Sequence, residues 1–164
     1  MIYSGFAGVG KTYASETHSN VIDLESSQFQ WVNARPKSIE KNKSRYSAKN
    51  PEWPGNYISA IVEQAQSGKH VLISAQPEVL EALAKQNIPF ITVTPDVGDK
   101  EAYIQRYTDR GNPQKFIDMM TEHFEEYIDD MDKNFDATAH IKLHRYAFIS
   151  SIFDDIEIKT ANQK

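Results

Sequence analysis

Short apolar runs alternate with helix-spaced apolar positions along this chain. The runs Ile2 to Ser4, Val21 to Leu24, Val71 to Ala75, Phe90 to Val93 and Ala139 to Leu143 have strand length and are rich in β-branched and aromatic residues, the signature of buried strands. Tyr57, Ile58, Ala60, Ile61, Val62 and Ala65 recur at helical spacing and stop at Gly68, a residue suited to the left-handed turn that closes a helix. Pro77 stands where a first helical residue belongs, ahead of Val79, Leu80, Leu83 and Ala84. Asp99 is placed to cap a helix through Tyr103, Ile104 and Tyr107 that ends at Gly111. Asn112-Pro113 starts the next, whose inner face reads Phe116, Ile117, Met120, Phe124, Tyr127, Ile128 and Met131. Strand and helix alternating in this way predict a parallel sheet covered on both faces. The exception is Gln28 to Asn56, rich in Lys, Asn, Ser and Pro with little periodicity; a loop of that length inside a domain usually serves function.

Composition narrows the chemistry. The chain has 164 residues, 40% of them hydrophobic, with no cysteine and a net charge of −5. That is the size of one globular domain with an adequate core. Zero cysteine excludes thiol nucleophiles, cysteine-ligated metals and iron–sulfur chemistry, and suits a reducing cytosol. No stretch reaches the roughly 18 apolar residues of a membrane span, and Met1 to Lys11 lacks the charged start and long apolar core of a signal peptide. These features predict a cytoplasmic protein with no membrane partner, acting as a monomer or homodimer. The acidic balance argues against duplex nucleic acid. The charge is unevenly placed, however: Arg35, Lys37, Lys41, Lys43, Arg45 and Lys49 face only Glu40 in one segment, whereas acids dominate from Asp118 to Asp136. A small anion would be drawn to the first segment.

The most specific signal is Gly5-Phe6-Ala7-Gly8-Val9-Gly10-Lys11-Thr12, a full match to the phosphate-binding pattern G-x-x-x-x-G-K-[ST]. It follows an apolar strand and precedes Tyr13 to His18, which can open a helix. Glycines let successive N–H groups turn inward around an anion. Lys11 is then positioned for the β- and γ-phosphates of ATP, and the Thr12 hydroxyl for Mg²⁺. The D-x-x-G and N-K-x-D elements of GTPases are missing, and the third strand ends in Ser74 where larger ATPases usually carry an acid. Small kinases remain. Arg106 and Arg110 lie four apart on one face of a predicted helix, a spacing that lets two guanidiniums converge on a phosphoryl group in flight.

With these residues in place, the chain resembles the P-loop nucleoside monophosphate kinases, in particular compact bacteriophage-encoded deoxynucleotide kinase-like proteins. The resemblance runs through the P-loop, Ile22 to Ser27 after the second strand, Asn50-Pro51 to Tyr57, and the Arg106 and Arg110 segment. It implies a P-loop NTPase three-layer α/β sandwich with a five-stranded parallel sheet of order 2-3-1-4-5 and helices on both faces. Residues 1–164 would form a single kinase domain, with 28–56 binding the acceptor and 99–112 acting as a short lid. It further implies that Gly5 to Thr12 hold ATP, that Lys11, Arg106 and Arg110 are catalytic, and that Arg145, beside His144 after the fifth strand, lies near the adenine. The acceptor would meet Asp23, Ser26, Ser27, Trp31, Arg35, Arg45 and Tyr57. Tyr46 and Trp53 are further aromatics in that segment, and Asn50 a further hydrogen-bonding group.

The expected reaction is transfer of the ATP γ-phosphoryl to a (deoxy)nucleoside monophosphate, in nucleotide metabolism. Ser74 leaves the indirect hold on Mg²⁺ to Asp23 or Glu25. Asp23-Leu-Glu25 also resembles the D-x-D of shikimate kinase-like enzymes, which keeps open a hydroxyl acceptor: a nucleoside, a polynucleotide 5′ end or a small metabolite. A phosphate acceptor is already anionic and needs positive charge, whereas a hydroxyl must lose a proton to a base. A regulatory nucleotide-binding protein with little activity is the other alternative.

Overall fold

Residues 1–32, 48–144 and 147–154 are described by the computed structural model. In chain order they form β1 (Ile2–Gly5), α1 (Lys11–Thr17), β2 (Val21–Asp23), α2 (Ser27–Gln30), β3 (Trp31–Val32), β4 (Ala48–Lys49), α3 (Gly55–Gln66), β5 (His70–Ser74) and α4 (Pro77–Lys85). There follow β6 (Ile91–Pro95), a single 3-10 turn (Val97–Asp99), α5 (Lys100–Asp109), α6 (Gln114–Lys133) and β7 (Ala139–Leu143). Arg35, Lys37, Lys41, Lys43, Arg45, Tyr46 and Arg145 lie outside the described residues.

The period-two alternation of the strands builds the layers. Tyr3, Leu72 and Val93 face one side of the sheet, where Ala14 of α1, Tyr103 and Tyr107 of α5 and Phe124 and Ile128 of α6 cover them. Ile2, Val71 and Ile73 face the other side, under Ile58 and Ile61 of α3 and Val79, Leu80 and Leu83 of α4. All four β1 residues are buried because β1 is the central strand. The sheet order is β2-β5-β1-β6-β7, and every adjacent pair is parallel. The chain numbering departs from 2-3-1-4-5 because an antiparallel ribbon, β3–β4, intervenes between β2 and β5. Counted among the sheet's own strands, the order reads second, third, first, fourth, fifth. The chain crosses past β1 between β5 and β6, so a crevice opens beyond the carboxyl ends of these strands, the usual ligand position in open α/β sheets.

Two local expectations change. The stretch 28–56 contains the end of α2, the β3–β4 ribbon and the start of α3 at Gly55; strands of two residues leave no periodic trace in a sequence. Asp99 occupies the position before α5 without a side-chain cap bond. Asp96 does the local capping instead, accepting from the Gly98 N–H at 2.9 Å, because it is the first carboxylate after β6 and reaches the amide two residues on. The acidic helix α6 does turn Glu122, Glu125, Glu126 and Asp129 to solvent. Asp132 points inward, where it accepts from Thr94 Oγ1 at 2.9 Å and pairs with Lys142. Among the described residues no helix is long and apolar enough to cross a membrane.

Candidate functional site

The loop after β1 is held from outside by α5. Gly8 and Gly10 have φ of 87° and 90°, values that disfavour any side chain. Space requires glycine as well: a Cβ on Gly8 would sit 2.9 Å from a Tyr107 ring carbon, and one on Gly10 2.9 Å from a Phe148 ring carbon. The Tyr107 hydroxyl donates to the Ala7 carbonyl at 2.8 Å, and Arg106 Nη1 donates to the Gly8 carbonyl at 3.2 Å. The Arg106 guanidinium lies 4.4 Å from the Tyr103 ring centre and 4.2 Å from that of Phe148, within cation–π range. Burial pushes the Tyr107 hydroxyl far above its ordinary range; the neighbouring Tyr103 adds to the rise, and Arg110 and Arg106 oppose it. Tyr107 therefore stays protonated and remains a donor to the loop.

At the other end of the loop the first two residues of α1 meet the strand ends. Lys11 Nζ donates to the Gly5 carbonyl at 3.2 Å. Thr12 Oγ1 donates to Asp23 Oδ2 at 3.0 Å. Of the two acids considered for the missing strand-end carboxylate, Asp23 is thus the one at Thr12, while Glu25 accepts from Ser27 Oγ at 3.5 Å. A hydroxyl and a carboxylate suit Mg²⁺, which keeps waters and takes other ligands from phosphate oxygens. Among the described residues no group of three or more His, Cys, Asp or Glu could hold a metal without such help.

The expected acceptor residues separate into groups. Ser26 is buried and accepts from Ser74 Oγ at 3.1 Å. Tyr57 is fully buried, and its hydroxyl donates to the Leu24 carbonyl at 2.7 Å. Burial drives that hydroxyl's pKa far up, and the charges of Asp23 and Glu25 raise it further. Trp53 stacks on Tyr57 with ring centres 5.4 Å apart, and its Nε1–H donates to Glu78 Oε1 at 2.6 Å. Both aromatics are therefore core residues rather than open stacking platforms. Trp31 stands half-buried on β3, opposite Lys49. Arg110 is exposed at the end of α5.

A cavity of about 800 Å³ opens beside Gly5 and Lys11. Its walls are Phe116, Met119, Met120, Tyr127 and Met131 of α6, with Phe135 beyond the helix. Ser74 and Gln76 close the β5 side, and Glu81 and Asp130 are its carboxylates. Sequence reading assigned the α6 residues to the core, correctly for Met120 and Met131, which are nearly covered. It missed that the same face passes the end of the P-loop. The signal available was the cluster of methionines, which serve adaptable ligand surfaces as readily as cores. Phe148 had no signal at all.

The fold and loop define a Rossmannoid, P-loop-like α/β protein whose architecture is compatible with nucleotide binding. Among solved structures, the chain is similar to the tunicamycin resistance protein of Deinococcus radiodurans, with 13% identity and a TM-score of 0.53, over 97% of this chain and 94% of that one. An uncharacterized protein from Eubacterium ventriosum ATCC 27560 aligns at 14% identity with a TM-score of 0.46, over 99% of this chain and 98% of that one. At 13% identity the likeness to the first of these speaks to the fold alone. No family model matches the chain, and no curated protein matches it.

Proposed function

We propose that the chain is an ATP- and Mg²⁺-dependent phosphotransferase that moves the γ-phosphoryl of ATP to a small acceptor seated beside Lys11. The observation that carries this reading is the pairing of Thr12 Oγ1 with Asp23 Oδ2 at 3.0 Å, directly after the glycine-rich loop. Thr12, with Asp23 behind it, would hold Mg²⁺, which when bound neutralises charge on the β- and γ-phosphates. Lys11 would swing from the Gly5 carbonyl to those phosphates. Arg106, bonded to the Gly8 carbonyl, is the first candidate for spreading charge as it develops on the transferring group. Arg110, one turn further on, is the second candidate for that role. Transfer of this kind needs positioning and electrostatics more than covalent help from the protein.

Two acceptor classes have support. The basic residues from Arg35 to Lys49 and the resemblance to nucleotide kinases favour a (deoxy)nucleoside monophosphate. A carboxylate at the end of β2, Asp23 beside Thr12, supports a hydroxyl, which must give up a proton. The test is ADP release by purified protein with ATP and Mg²⁺ over a panel of nucleoside monophosphates, deoxynucleotides and dephosphorylated alcohols. Turnover of at least one acceptor is expected, with loss of at least a hundredfold in Lys11→Ala. Absence of acceptor-dependent ADP release across the whole panel would refute the assignment.

A further inference from the structure

We infer that Phe148 is a positioning residue for Arg106: its ring holds the guanidinium at the phosphate loop in one orientation, and this rests on the phosphotransferase reading above. The segment from Ala147 to Asp154 is anchored by other residues. Ile149 and Phe153 are buried in the core that Tyr3 and Val9 share. The Ile149 N–H donates to the Val9 carbonyl at 2.9 Å. Phe153 meets the Tyr3 ring edge-on with centres 5.3 Å apart, and Asp154 Oδ1 lies 2.9 Å from His18 Nε2. Phe148, by contrast, is 44% exposed. The Ile149 bond seats the segment on the loop itself, so the residue before it comes to the next loop residue, Gly10, where its ring fills the space that a Cβ would need.

What the ring meets is a cation. Arg106 Cζ lies over it at 4.2 Å from the centre, and over the Tyr103 ring at 4.4 Å, while Nη1 donates to the Gly8 carbonyl at 3.2 Å. Tyr103 and Arg106 are three apart on α5, so that stack comes with the helix. Phe148 arrives from a distant part of the chain and joins the arginine to the loop. An arginine loses much rotamer freedom when it is fixed. A group fixed before the ligand arrives adds no ordering cost at the reacting step. Rings suit the task because stacking engages the faces of the guanidinium, whereas the N–H donors that match phosphate oxygens lie in its plane. A carboxylate in the same place would offset the charge that transfer needs; an aromatic ring holds the cation with that charge kept.

Phe148→Leu keeps an apolar side chain and removes the ring, and Phe148→Tyr keeps the ring. Both should fold with urea midpoints close to that of the wild type, because the residue is exposed and the segment is anchored elsewhere. On the best acceptor, Phe148→Leu is expected to lower kcat about three- to tenfold with little change in the KM for ATP, and Phe148→Tyr to retain kcat. In an Arg106→Ala background the same loss of the ring should cost less than about twofold, since the ring then has nothing to hold. By NMR, the Arg106 Nε–H, shielded by the rings, should move downfield in Phe148→Leu and stay in place in Phe148→Tyr.

An equal loss of kcat with and without Arg106, wild-type kcat in Phe148→Leu, or an unmoved Nε–H signal would each overturn the inference. So would weaker binding of ATP beside unchanged binding of Mg²⁺ tripolyphosphate, which would make the ring a platform for the base. Tripolyphosphate also separates the two levels. If the wild type binds it no better than Lys11→Ala does, the phosphotransferase reading falls and takes the inference with it. If the wild type binds it better and turns over an acceptor, a negative Phe148 result falls on this inference alone.

Discussion

Thr12 and Asp23 are eleven positions apart in the chain and share one hydrogen bond. Removing the charge at Asp23 while keeping its shape tests what that bond serves. Asp23→Asn is expected to lower turnover by about two orders of magnitude and to raise the Mg²⁺ concentration needed for half-maximal rate, with ATP binding measured in parallel. Gly8 carries a different constraint. Gly8→Ala must adopt a positive φ and accommodate a carbon 2.9 Å from the Tyr107 ring, so it should cost at least about 1 kcal/mol of folding stability in urea titrations. His70 supplies a pH signature. Burial, helped by the nearby N-terminal ammonium, lowers its pKa below the ordinary histidine value. The unfolded chain therefore binds this proton more readily than the folded one, and stability should fall as pH drops below about 6.5. Comparing urea midpoints at neutral and mildly acidic pH, His70→Gln should show a smaller decline than wild type.

Among the elements, α5 carries the sharpest contrast. Arg106 and Arg110 looked equivalent in sequence, one helical turn apart. In the fold Arg106 is threaded between the Gly8 carbonyl and the Tyr103 and Phe148 rings, whereas Arg110 is exposed at the helix end. Arg106→Ala should therefore reduce kcat by about a hundredfold and Arg110→Ala by much less, measured on the best acceptor at saturating ATP. α3, α4 and α6 were legible because each is long enough to repeat its apolar period, and the strands of the five-stranded sheet because they stand out as short apolar runs. The β3–β4 ribbon and α2 were not, since two or four residues carry no period. The P-loop was legible because its chemistry is fixed by local glycine and lysine spacing. The cavity was not: its walls come from α6 and the turn after β5, which are far apart in sequence and meet only through tertiary packing. Tyr57, named in sequence among the residues that would meet the acceptor, ties α3 to the end of β2 through its hydroxyl.

For the molecule as a whole, a ligand that binds only the folded chain must raise its stability. At a hundred times its dissociation constant, ATP with Mg²⁺ should add about 2.7 kcal/mol, a rise of roughly 5–10 °C in the melting temperature for a domain of this size. Lys11→Ala should lose most of that rise in a thermal melt. The net charge of −5 thus says little about an anionic ligand, because the local arrangement around the loop decides. The hold of α5 on the loop has a kinetic meaning too. With the Ala7 and Gly8 carbonyls already tied to Tyr107 and Arg106, the cradle needs little ordering when phosphate arrives. If the proposed function holds, the observed rate of nucleotide association should climb linearly with concentration in stopped-flow measurements and reach no plateau set by a slow rearrangement.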